Sequence, residues 1–310
     1  MANNNSTQVI EFILLGLCTD ANLKTYIFGI FLFIYVITFL GNMMIIVTVT
    51  LQLQLHKPMY LFLRSLSLTE IFYISVTVPR MLRDFLHQVR VISFIMCAAQ
   101  LYFFCFLGTT ECFTLAFMAY DRYVAICHPL HYTVIMTNTK CYNLLVGSWI
   151  SGVLLSLCQI SYVFSLPFCN SSIIDHFFCD ILPVVRLACS DTFANEIAIF
   201  MYSSLVIQLP FLLIVVSYVR IIVSLLKMSS AVGRKKSFST CGSHLTSVIL
   251  FYGSATITYL RAKSVDTHGE DKFWSLLYVV FIPLLNPIIY SLRNKEIKNA
   301  MERLLNMYIK

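Results

Sequence analysis

Charged residues are scarce in this chain, and long stretches lack them altogether. Of its 310 residues, 12% are charged and 58% are hydrophobic. A water-soluble domain could not bury so much apolar surface inside one core. Asp, Glu, Lys and Arg are absent from five segments, 25–55, 141–174, 197–219, 237–260 and 273–292. The composition therefore excludes an ordinary soluble protein and predicts a membrane protein.

The uncharged segments are long enough to cross a bilayer, because about 20 apolar residues span its hydrocarbon core as a helix. Two more spans become visible when internal charges are allowed, over 58–82 with Arg64 and Glu70 and over 92–121 with Glu111. We therefore expect an all-α membrane protein, a seven-transmembrane helix bundle. Its expected parts are a tail over 1–24, the bundle over 25–293 and a carboxyl-terminal segment over 294–310.

The distribution of Lys and Arg predicts how the bundle is oriented, because these residues are retained on the cytoplasmic side. With the amino terminus outside, 14 of the 22 Lys and Arg residues lie on the inner side with three acids, and the other eight lie on the outer side with ten acids. We expect a multi-pass plasma-membrane protein with a cytoplasmic carboxyl terminus. The net charge of +7 then follows from topology, and no nucleic-acid partner is needed to explain it.

Motifs of a secretion signal and of common enzymes are also missing. The first 24 residues lack the basic start, long apolar run and cleavage site of a signal peptide, so the first helix is expected to act as the signal anchor. Neither a His-Glu-x-x-His site nor a Gly-x-Ser-x-Gly elbow occurs, and we expect no enzymatic activity. Asn5, in Asn5-Ser6-Thr7, fits the glycosylation pattern on the outer tail, and Asn170 offers a second such site.

Four of the eleven cysteines lie at an outer helix end or in the long outer loop 167–195. They are Cys97, Cys169, Cys179 and Cys189. Because the outer compartment is oxidising, we expect two disulfides among them. Four cysteines allow three pairings, and spacing alone does not choose between them. A loop fixed in this way would restrict access to a pocket beneath it.

On the third predicted helix, the residues that stand out share one face. At about 100° per residue, Arg122 lies on the same stripe as Glu111 and about 16 Å below it along the axis. The ion pair Asp121-Arg122 ends the stripe on the inner side, where a buried charge is costly and therefore indicates a function. The stripe contains Cys97, Phe104, Gly108, Glu111, Leu115, Met118 and Arg122.

Glu70 and Glu111 both fall near the middle of the membrane, where an unpaired carboxylate would take up a proton or recruit a partner. If they face each other, they can share a proton or hold a sodium ion with oxygen ligands. The alternative is two neutral carboxylic acids hydrogen-bonded to neighbouring Ser, Thr or Asn side chains. The residues alone favour neither, and no other cofactor or metal is expected.

The seventh predicted helix contains Pro283 and Pro287, each of which removes an intrahelical hydrogen bond. Asn286 can satisfy a freed carbonyl, and Tyr290 lies one turn further on the same side. Such a point is usually a kink, but beside charged residues it also suits a hinge. Beyond it, apolar residues recur every three to four positions from Ile297, which predicts a short amphipathic helix along the membrane surface.

Several motifs resemble those of rhodopsin-like G-protein-coupled receptors, and more narrowly those of class II (tetrapod-type) odorant receptors. The superfamily motifs are Asp121-Arg122-Tyr123 and Asn286-Pro287-Ile-Ile-Tyr290. The segments that resemble odorant receptors are 55–63, 118–132, 236–244 and 283–294. The resemblance covers nearly the whole chain, including Glu11-Phe-Ile-Leu-Leu-Gly16 near its start.

The resemblance implies that a small-molecule odorant lies among the third, fifth and sixth helices, beneath an outer loop with the pairs Cys97–Cys179 and Cys169–Cys189. On activation, Arg122 would leave Asp121 and meet a heterotrimeric stimulatory G protein, which raises cyclic AMP. The implied coupling and switch residues are Asp121, Arg122, Tyr123, Tyr218, Asn286, Pro287 and Tyr290. The implied odorant-binding residues are Phe104, Cys105, Gly108, Thr109, Cys112, Tyr202, Ser203, Val206, Ile207, Tyr252, Ala255, Thr256 and Tyr259.

A wall made of these residues would be apolar with a few hydroxyls, which suits a small volatile molecule. Phe104 stands where amine receptors carry an acid, so we expect a neutral odorant with one hydrogen-bonding group. Two alternatives stay open: a non-olfactory receptor for a lipid or peptide, and a transporter or channel, which would also bury Glu70 and Glu111. Seven helices without an evident internal repeat argue against the common transporter plan.

Overall fold

A bundle of seven long helices, followed by a shorter one, forms most of the described chain. The computed structural model describes residues 10–17, 21–87, 89–168, 172–189, 192–227, 231–260 and 268–308. The first four helices are α1 (Ala21–Leu51), α2 (Pro58–Leu86), α3 (Phe94–Cys127) and α4 (Asn138–Phe164). The next is α5, made of Thr192–Ser203, a π-helical turn Ser204–Gln208, and Leu209–Leu226.

The remaining helices complete the predicted seven and add the amphipathic one. They are α6 (Ala231–Leu260), α7 and α8 (Lys295–Tyr308). Helix α7 consists of His268–Leu276, a π-helical turn Leu277–Phe281, and Ile282–Arg293. Within the described ranges, every helix from α1 to α7 except α6 contains a segment long and apolar enough to cross a membrane. Helix α6 has 30 residues, enough to cross, and carries its Arg and Lys residues in its first half.

Helices α2, α3, α5, α6 and α7 are longer than the spans predicted from the absence of charge, whereas α4 ends at Phe164, ten residues before the end of its predicted span. Helix α1 begins at Ala21 rather than residue 25, and α3 continues to Cys127 rather than ending near 121. The reason is that each predicted span ends at a charged residue, whereas a helix can continue past the hydrocarbon core into water. At 1.5 Å per residue, the 34 residues of α3 measure about 51 Å against a core of about 30 Å.

Helix α3 runs through the centre of the bundle, packed against α2, α4, α5 and α6. Its position explains why its buried residues fall on most of its circumference rather than on one face. Ser93 caps its first turn by accepting a hydrogen bond from the Met96 N–H at 3.3 Å. Such caps satisfy one of the amide groups left free at a helix start. A central helix with contacts on all sides is placed to relay a change at one end to the other.

A small β-sheet lies at one end of the bundle, here called the amino-terminal face. Its strands are β1 (Glu11–Leu14), β2 (Val91–Ser93) and β3 (Ile173–Ile174), in the order β2-β1-β3. Strand β1 pairs antiparallel with β2 and parallel with β3. Since these strands come from the tail, the α2–α3 connection and the α4–α5 connection, those three segments lie on the same side.

Strand β1 alternates exposed and buried side chains, as expected for a strand with one face on a core. Phe12 is fully buried, with its ring centroid 6.0 Å from that of Phe94 and 5.8 Å from that of Phe168. Arg90 donates a hydrogen bond to the Leu15 carbonyl just after the strand. The segment over 1–24, predicted as a tail, therefore contributes a strand to the folded structure.

At the opposite end of the bundle, here called the carboxyl-terminal face, α8 lies against the start of α2 and the end of α7. The Asn294 side chain caps α8 by accepting from the Glu296 N–H at 3.0 Å, and Tyr60 of α2 donates to Glu296 at 3.0 Å. Ile297 and Leu304 are buried, whereas Arg303 is exposed. The predicted amphipathic helix is present with its apolar side turned inward.

Replacing Phe12 by Ala should lower the stability of the purified protein by about 3–5 kcal/mol, because it removes a buried aromatic ring and leaves a cavity. Thermal unfolding in detergent micelles measures this as a lower melting temperature. The matched control is Ile13→Ala, since Ile13 is the next residue and 37% exposed on the outer side of the strand. Equal losses in the two variants would contradict the packing role of Phe12.

Candidate functional site

A cavity opens inside the bundle toward the amino-terminal face. Its volume is about 70 Å³, against the roughly 15 Å³ that one water molecule needs. Ten of the thirteen predicted odorant-binding residues line it, and no charged side chain is among its lining residues. The ten are Phe104, Cys105, Gly108, Thr109 and Cys112 of α3, Tyr202, Ser203, Val206 and Ile207 of α5, and Ala255 of α6.

Three predicted residues are not part of this lining. The Tyr252 hydroxyl donates to the Cys112 carbonyl at 3.0 Å, so this buried side chain joins α6 to α3 instead. Thr256 is exposed on the outside of α6, about 100° around the helix from Ala255, which faces the cavity. The side chain of Tyr259 lies outside the described part of the chain.

Five further residues, which the sequence motifs did not indicate, line the cavity. Phe251 belongs to α6 and Tyr278 to the π-helical turn of α7, while Ile181 comes from the loop before α5. Ile181 could have been found, because it lies two residues after Cys179. The position of Tyr278 could not have been found, because a π-helical turn shifts the face of the helix on which later residues lie. The complete set of additions is Tyr73, Ile181, Ile199, Phe251 and Tyr278.

Hydroxyl groups are concentrated on the α3–α5 side of the cavity. The Tyr202 hydroxyl lies 3.1 Å from the Thr109 hydroxyl and 3.5 Å from the Ser156 hydroxyl of α4. A ligand with one polar group can exchange hydrogen bonds with this cluster while its remaining atoms contact the apolar wall. The cavity therefore combines one polar region with otherwise hydrophobic surroundings, as small-molecule sites commonly do.

The loop between α4 and α5 covers the cavity and is fixed to α3. Cys97 and Cys179 form a disulfide, and the Gln100 side chain accepts from the Cys179 N–H at 3.1 Å. The Gln100 amide also donates to the Val76 carbonyl of α2 at 3.1 Å. Cys169, one half of the other implied pair, lies outside the described residues, and so does Asn5.

The same loop is joined to α7 by polar contacts. Lys272 forms an ion pair with Asp175 at 2.6 Å, and the Tyr278 hydroxyl donates to the Asp180 carboxylate at 3.1 Å. The His176 ring nitrogen Nε2 lies 3.2 Å from the Ser275 hydroxyl, in a fully enclosed position. Because Tyr278 also lines the cavity, a change in cavity contents can reach the loop directly.

A polar cluster lies deeper, between α1, α2, α3 and α7. The Asn286 amide donates to the Glu70 carboxylate, and the Asn42 amide donates to the Pro283 carbonyl at 3.3 Å. Four buried oxygens of this region accept no hydrogen bond from the described residues. They are Asn42 Oδ1, Glu70 Oε2, Glu111 Oε1 and Asn286 Oδ1. A set of oxygens without donors fits a hard cation or an added proton.

At the carboxyl-terminal end of α3, Arg122 Nη2 lies 3.6 Å from Asp121 Oδ2, and both side chains are largely buried. The Tyr132 hydroxyl donates to the other Asp121 oxygen at 2.8 Å. Burial of Tyr132, together with the negative charge of Asp121, raises the pKa of its hydroxyl, which therefore stays protonated and continues to donate. The neighbouring Tyr123 hydroxyl is 3.1 Å from His128 Nε2.

His244 joins three helices at the same end, and its role was not predicted, although it ends the motif over 236–244. Its Nδ1 lies 2.8 Å from the Tyr218 hydroxyl of α5, and its Nε2 lies 3.1 Å from the Leu115 carbonyl of α3. Tyr290 of α7 is buried nearby. These contacts hold α6 against the bundle in the described state.

Pro287 of α7 packs closely against Gly41 of α1. A Cβ added to Gly41 of α1 would lie 3.2 Å from the Pro287 Cβ, tighter than ordinary van der Waals contact. A glycine at this position therefore permits the approach. Asn286 belongs to the deep polar cluster, and Pro287 and Tyr290 follow it toward the carboxyl-terminal face.

The loop that covers the cavity should become less stable in acid through His176. Burial, and then the charge of Lys272, lower the pKa of His176 to about 3, while Asp175 acts in the opposite direction. The unfolded chain takes up this proton near pH 6.5, so stability falls as the pH drops below 6.5. From pH 7 to 5 this amounts to about 2 kcal/mol.

The measurement is thermal unfolding of wild type and His176→Gln at both pH values. Gln can still bond to Ser275 but cannot take up a proton, so its pH dependence should be smaller. The same pH dependence in both proteins would contradict this role.

Comparison with known proteins identifies the family. A family model described as olfactory receptor matches residues 31–307. Human olfactory receptor 10A7 is 48% identical over 309 residues, which cover 100% of this chain and 98% of the relative. Human olfactory receptor 10A3 is 49% identical, with 98% and 97% covered, and the dog olfactory receptor-like protein OLF3 is 48% identical, with 98% and 96% covered. The chain therefore belongs to the olfactory receptor family of multi-pass G-protein-coupled receptors.

Proposed function

We propose that this receptor binds a small, neutral, volatile odorant in the cavity between α3, α5 and α6 and activates a stimulatory G protein that raises cyclic AMP. The observation that carries this proposal is the largely apolar cavity inside the bundle with its hydroxyl cluster around Tyr202. It lacks a charged lining residue, so a charged ligand would lose its hydration there without gaining a counter-ion.

The orientation that we propose places the amino-terminal face outside the plasma membrane. Two observations support it. The basic residues are concentrated on the other side, and the Cys97–Cys179 disulfide lies on the amino-terminal face, where an oxidising compartment would maintain it. In this orientation Asn5 is available for glycosylation and α8 contacts cytoplasmic-side lipid.

The coupling mechanism proposed is an outward movement of α6. A ligand can favour this movement only by binding one of two states more tightly. The contacts of His244 with Tyr218 and Leu115, and the pairing of Arg122 with Asp121, would be exchanged in that step. Arg122 would then be free to meet the carboxyl-terminal helix of the G protein, with Tyr218 and Tyr290 beside it.

The deep polar cluster is proposed to hold either a sodium ion or a shared proton between Glu70 and Glu111. Its unpartnered oxygens, including Asn286 Oδ1, support both occupants. A sodium ion would supply one positive charge and so offset one of the two carboxylate charges, which hydrocarbon cannot solvate. Either occupant would bias the position of α7, since Asn286 belongs to that helix and bonds to Glu70.

An odorant panel with a cyclic-AMP readout tests the proposal as a whole. Cells expressing the full chain should respond to at least one class of neutral odorant with a single polar group. Activation by primary amines and by no neutral odorant would contradict the ligand class.

Replacing Gly108 by Val should raise the effective concentration of an active odorant at least about tenfold, because the added side chain occupies the cavity. A Cβ at Gly108 meets only the Tyr73 ring, at 3.8 Å, so the helix itself is not strained. The control is Gly253→Val on the exposed side of α6, where a Cβ has no neighbour within 4 Å. Unchanged dose–response curves for Gly108→Val would contradict binding at this position.

Replacing Arg122 by Ala should abolish odorant-stimulated cyclic AMP while leaving surface expression near the wild-type level. The physical reason is that Arg122 is the member of the Asp121–Arg122 pair that can donate hydrogen bonds to the incoming G protein. Surface labelling of intact cells measures expression separately from signalling. Normal signalling by this variant would refute the assignment of Arg122.

A further inference from the structure

A second cavity lies on the outside of the bundle, between α1, α2 and α4. Its volume is about 380 Å³, and it opens toward the membrane near the carboxyl-terminal face. It is separate from the odorant cavity, which lies inside the bundle between α3, α5 and α6. Its lining includes Ile46 and Thr50 of α1, Arg64 and Leu68 of α2, and Leu145 and Trp149 of α4.

Arg64 is the unusual member of this groove. It lies six residues after Pro58, the first residue of α2, and therefore about 9 Å along the helix from that end. Glu70 lies a further six residues on, too far along the axis to meet Arg64 directly. The Arg64 side chain is half-buried, and no hydrogen bond or ion pair joins it to any residue that the structure describes.

An arginine at this depth needs an acceptor. Its positive charge is costly within the hydrocarbon layer unless it is paired or extends to the headgroup level. The lining of the groove contains no Asp or Glu. A second polar group, the Ser65 hydroxyl, already accepts a hydrogen bond from Trp149 Nε1 at 3.3 Å, which leaves its own hydrogen to donate. The groove therefore offers donors and positive charge.

We propose that this groove binds an anionic phospholipid, with its phosphate on Arg64 and an acyl chain along Ile46, Leu68 and Trp149. A guanidinium can give two parallel hydrogen bonds to a phosphate, which is the geometry this pairing favours. A lipid with net negative charge neutralises Arg64, whereas a zwitterionic lipid brings its own cation. Leu68 is 39% exposed, so the apolar part of the groove is open to an acyl chain.

The source of this lipid is the leaflet at the carboxyl-terminal face, which is the cytoplasmic leaflet in the proposed orientation. That leaflet carries the anionic lipids of a cell membrane. Free phosphate ions would not enter a groove that faces the hydrocarbon layer. Binding to this site does not depend on the odorant, so it can be tested whether or not an odorant is known.

The test uses the full chain, purified with equal amounts of phosphatidylserine and phosphatidylcholine, and counts retained lipids by native mass spectrometry. Wild type should retain phosphatidylserine in preference, and Arg64→Gln should reduce its retention about tenfold, as expected for loss of a charge-assisted hydrogen bond. Arg64→Lys, which keeps the charge, should retain an intermediate amount.

The matched control is Arg83→Gln, which makes the same charge change at an exposed position near the other end of α2. It should retain phosphatidylserine as wild type does. Equal retention by Arg64→Gln and wild type would overturn the proposal. So would an equal loss in Arg64→Gln and Arg83→Gln, because net charge alone would then explain the effect.

A second measurement needs no variant and so does not depend on how Arg64→Gln folds. Phosphatidylserine with a photoreactive acyl chain should label wild-type peptides over 61–68 and 145–149, and unlabelled phosphatidylserine should suppress this labelling more than phosphatidylcholine does. Labelling confined to other helices would overturn the site. Displacement by cholesterol, with no difference between the two phospholipids, would overturn the anionic ligand.

Discussion

Hydrocarbon cannot solvate polar groups, and this constraint decides where the helices of this receptor make contact. Apolar side chains gain little from leaving lipid for the protein interior, so packing and interhelical hydrogen bonds hold the bundle together. Several of the described polar contacts accordingly join different helices. Tyr252 bonds to α3, His244 bonds to α3 and α5, and Asn286 bonds to Glu70 of α2. Each contact satisfies a group that would otherwise destabilise the membrane-embedded state.

Helix α3 contributes to every one of the functional regions. Near its amino-terminal end Cys97 fixes the loop, in the middle Gly108 and Thr109 face the cavity, and beyond them Glu111 belongs to the deep polar cluster. Arg122 ends the series. Because most of α3 is packed against other helices, a shift forced at the cavity is passed to these neighbours. This arrangement gives the proposed two-state behaviour a physical route along one helix.

The sequence was sufficient for the number and approximate positions of the membrane helices, since these depend on long uncharged segments. The sequence was insufficient where the direction of a single side chain decides whether that residue lines the cavity. Ala255 faces the cavity whereas Thr256 is exposed, and the π-helical turn around Tyr278 brings that residue into the wall. Motif spacing contains no information on such turns. His244 was within a recognised motif, but its contacts depend on how α3, α5 and α6 are placed together.

The β-sheet was missed for a different reason: its strands have only two to four residues, and their partners are distant in the chain. Local patterns such as Glu11-Phe-Ile-Leu14 are too short to indicate a strand without those partners. The polar loop contacts of Lys272 and Asp175 were missed similarly, because they join residues almost a hundred positions apart. Long-range pairing is a property of the assembled bundle.

The sheet also imposes an order on biosynthesis. Strand β1 is made among the first residues, yet Ile13 pairs with Ile173, which leaves the ribosome about 160 residues later, after four helices have been synthesised. Until then β1 has an unsatisfied edge, and Phe12 lacks Phe168 as a neighbour. Completion of the sheet therefore reports that the first four helices have been inserted in the correct direction. A nascent chain with one of these helices inverted would leave at least one edge of β1 unpaired.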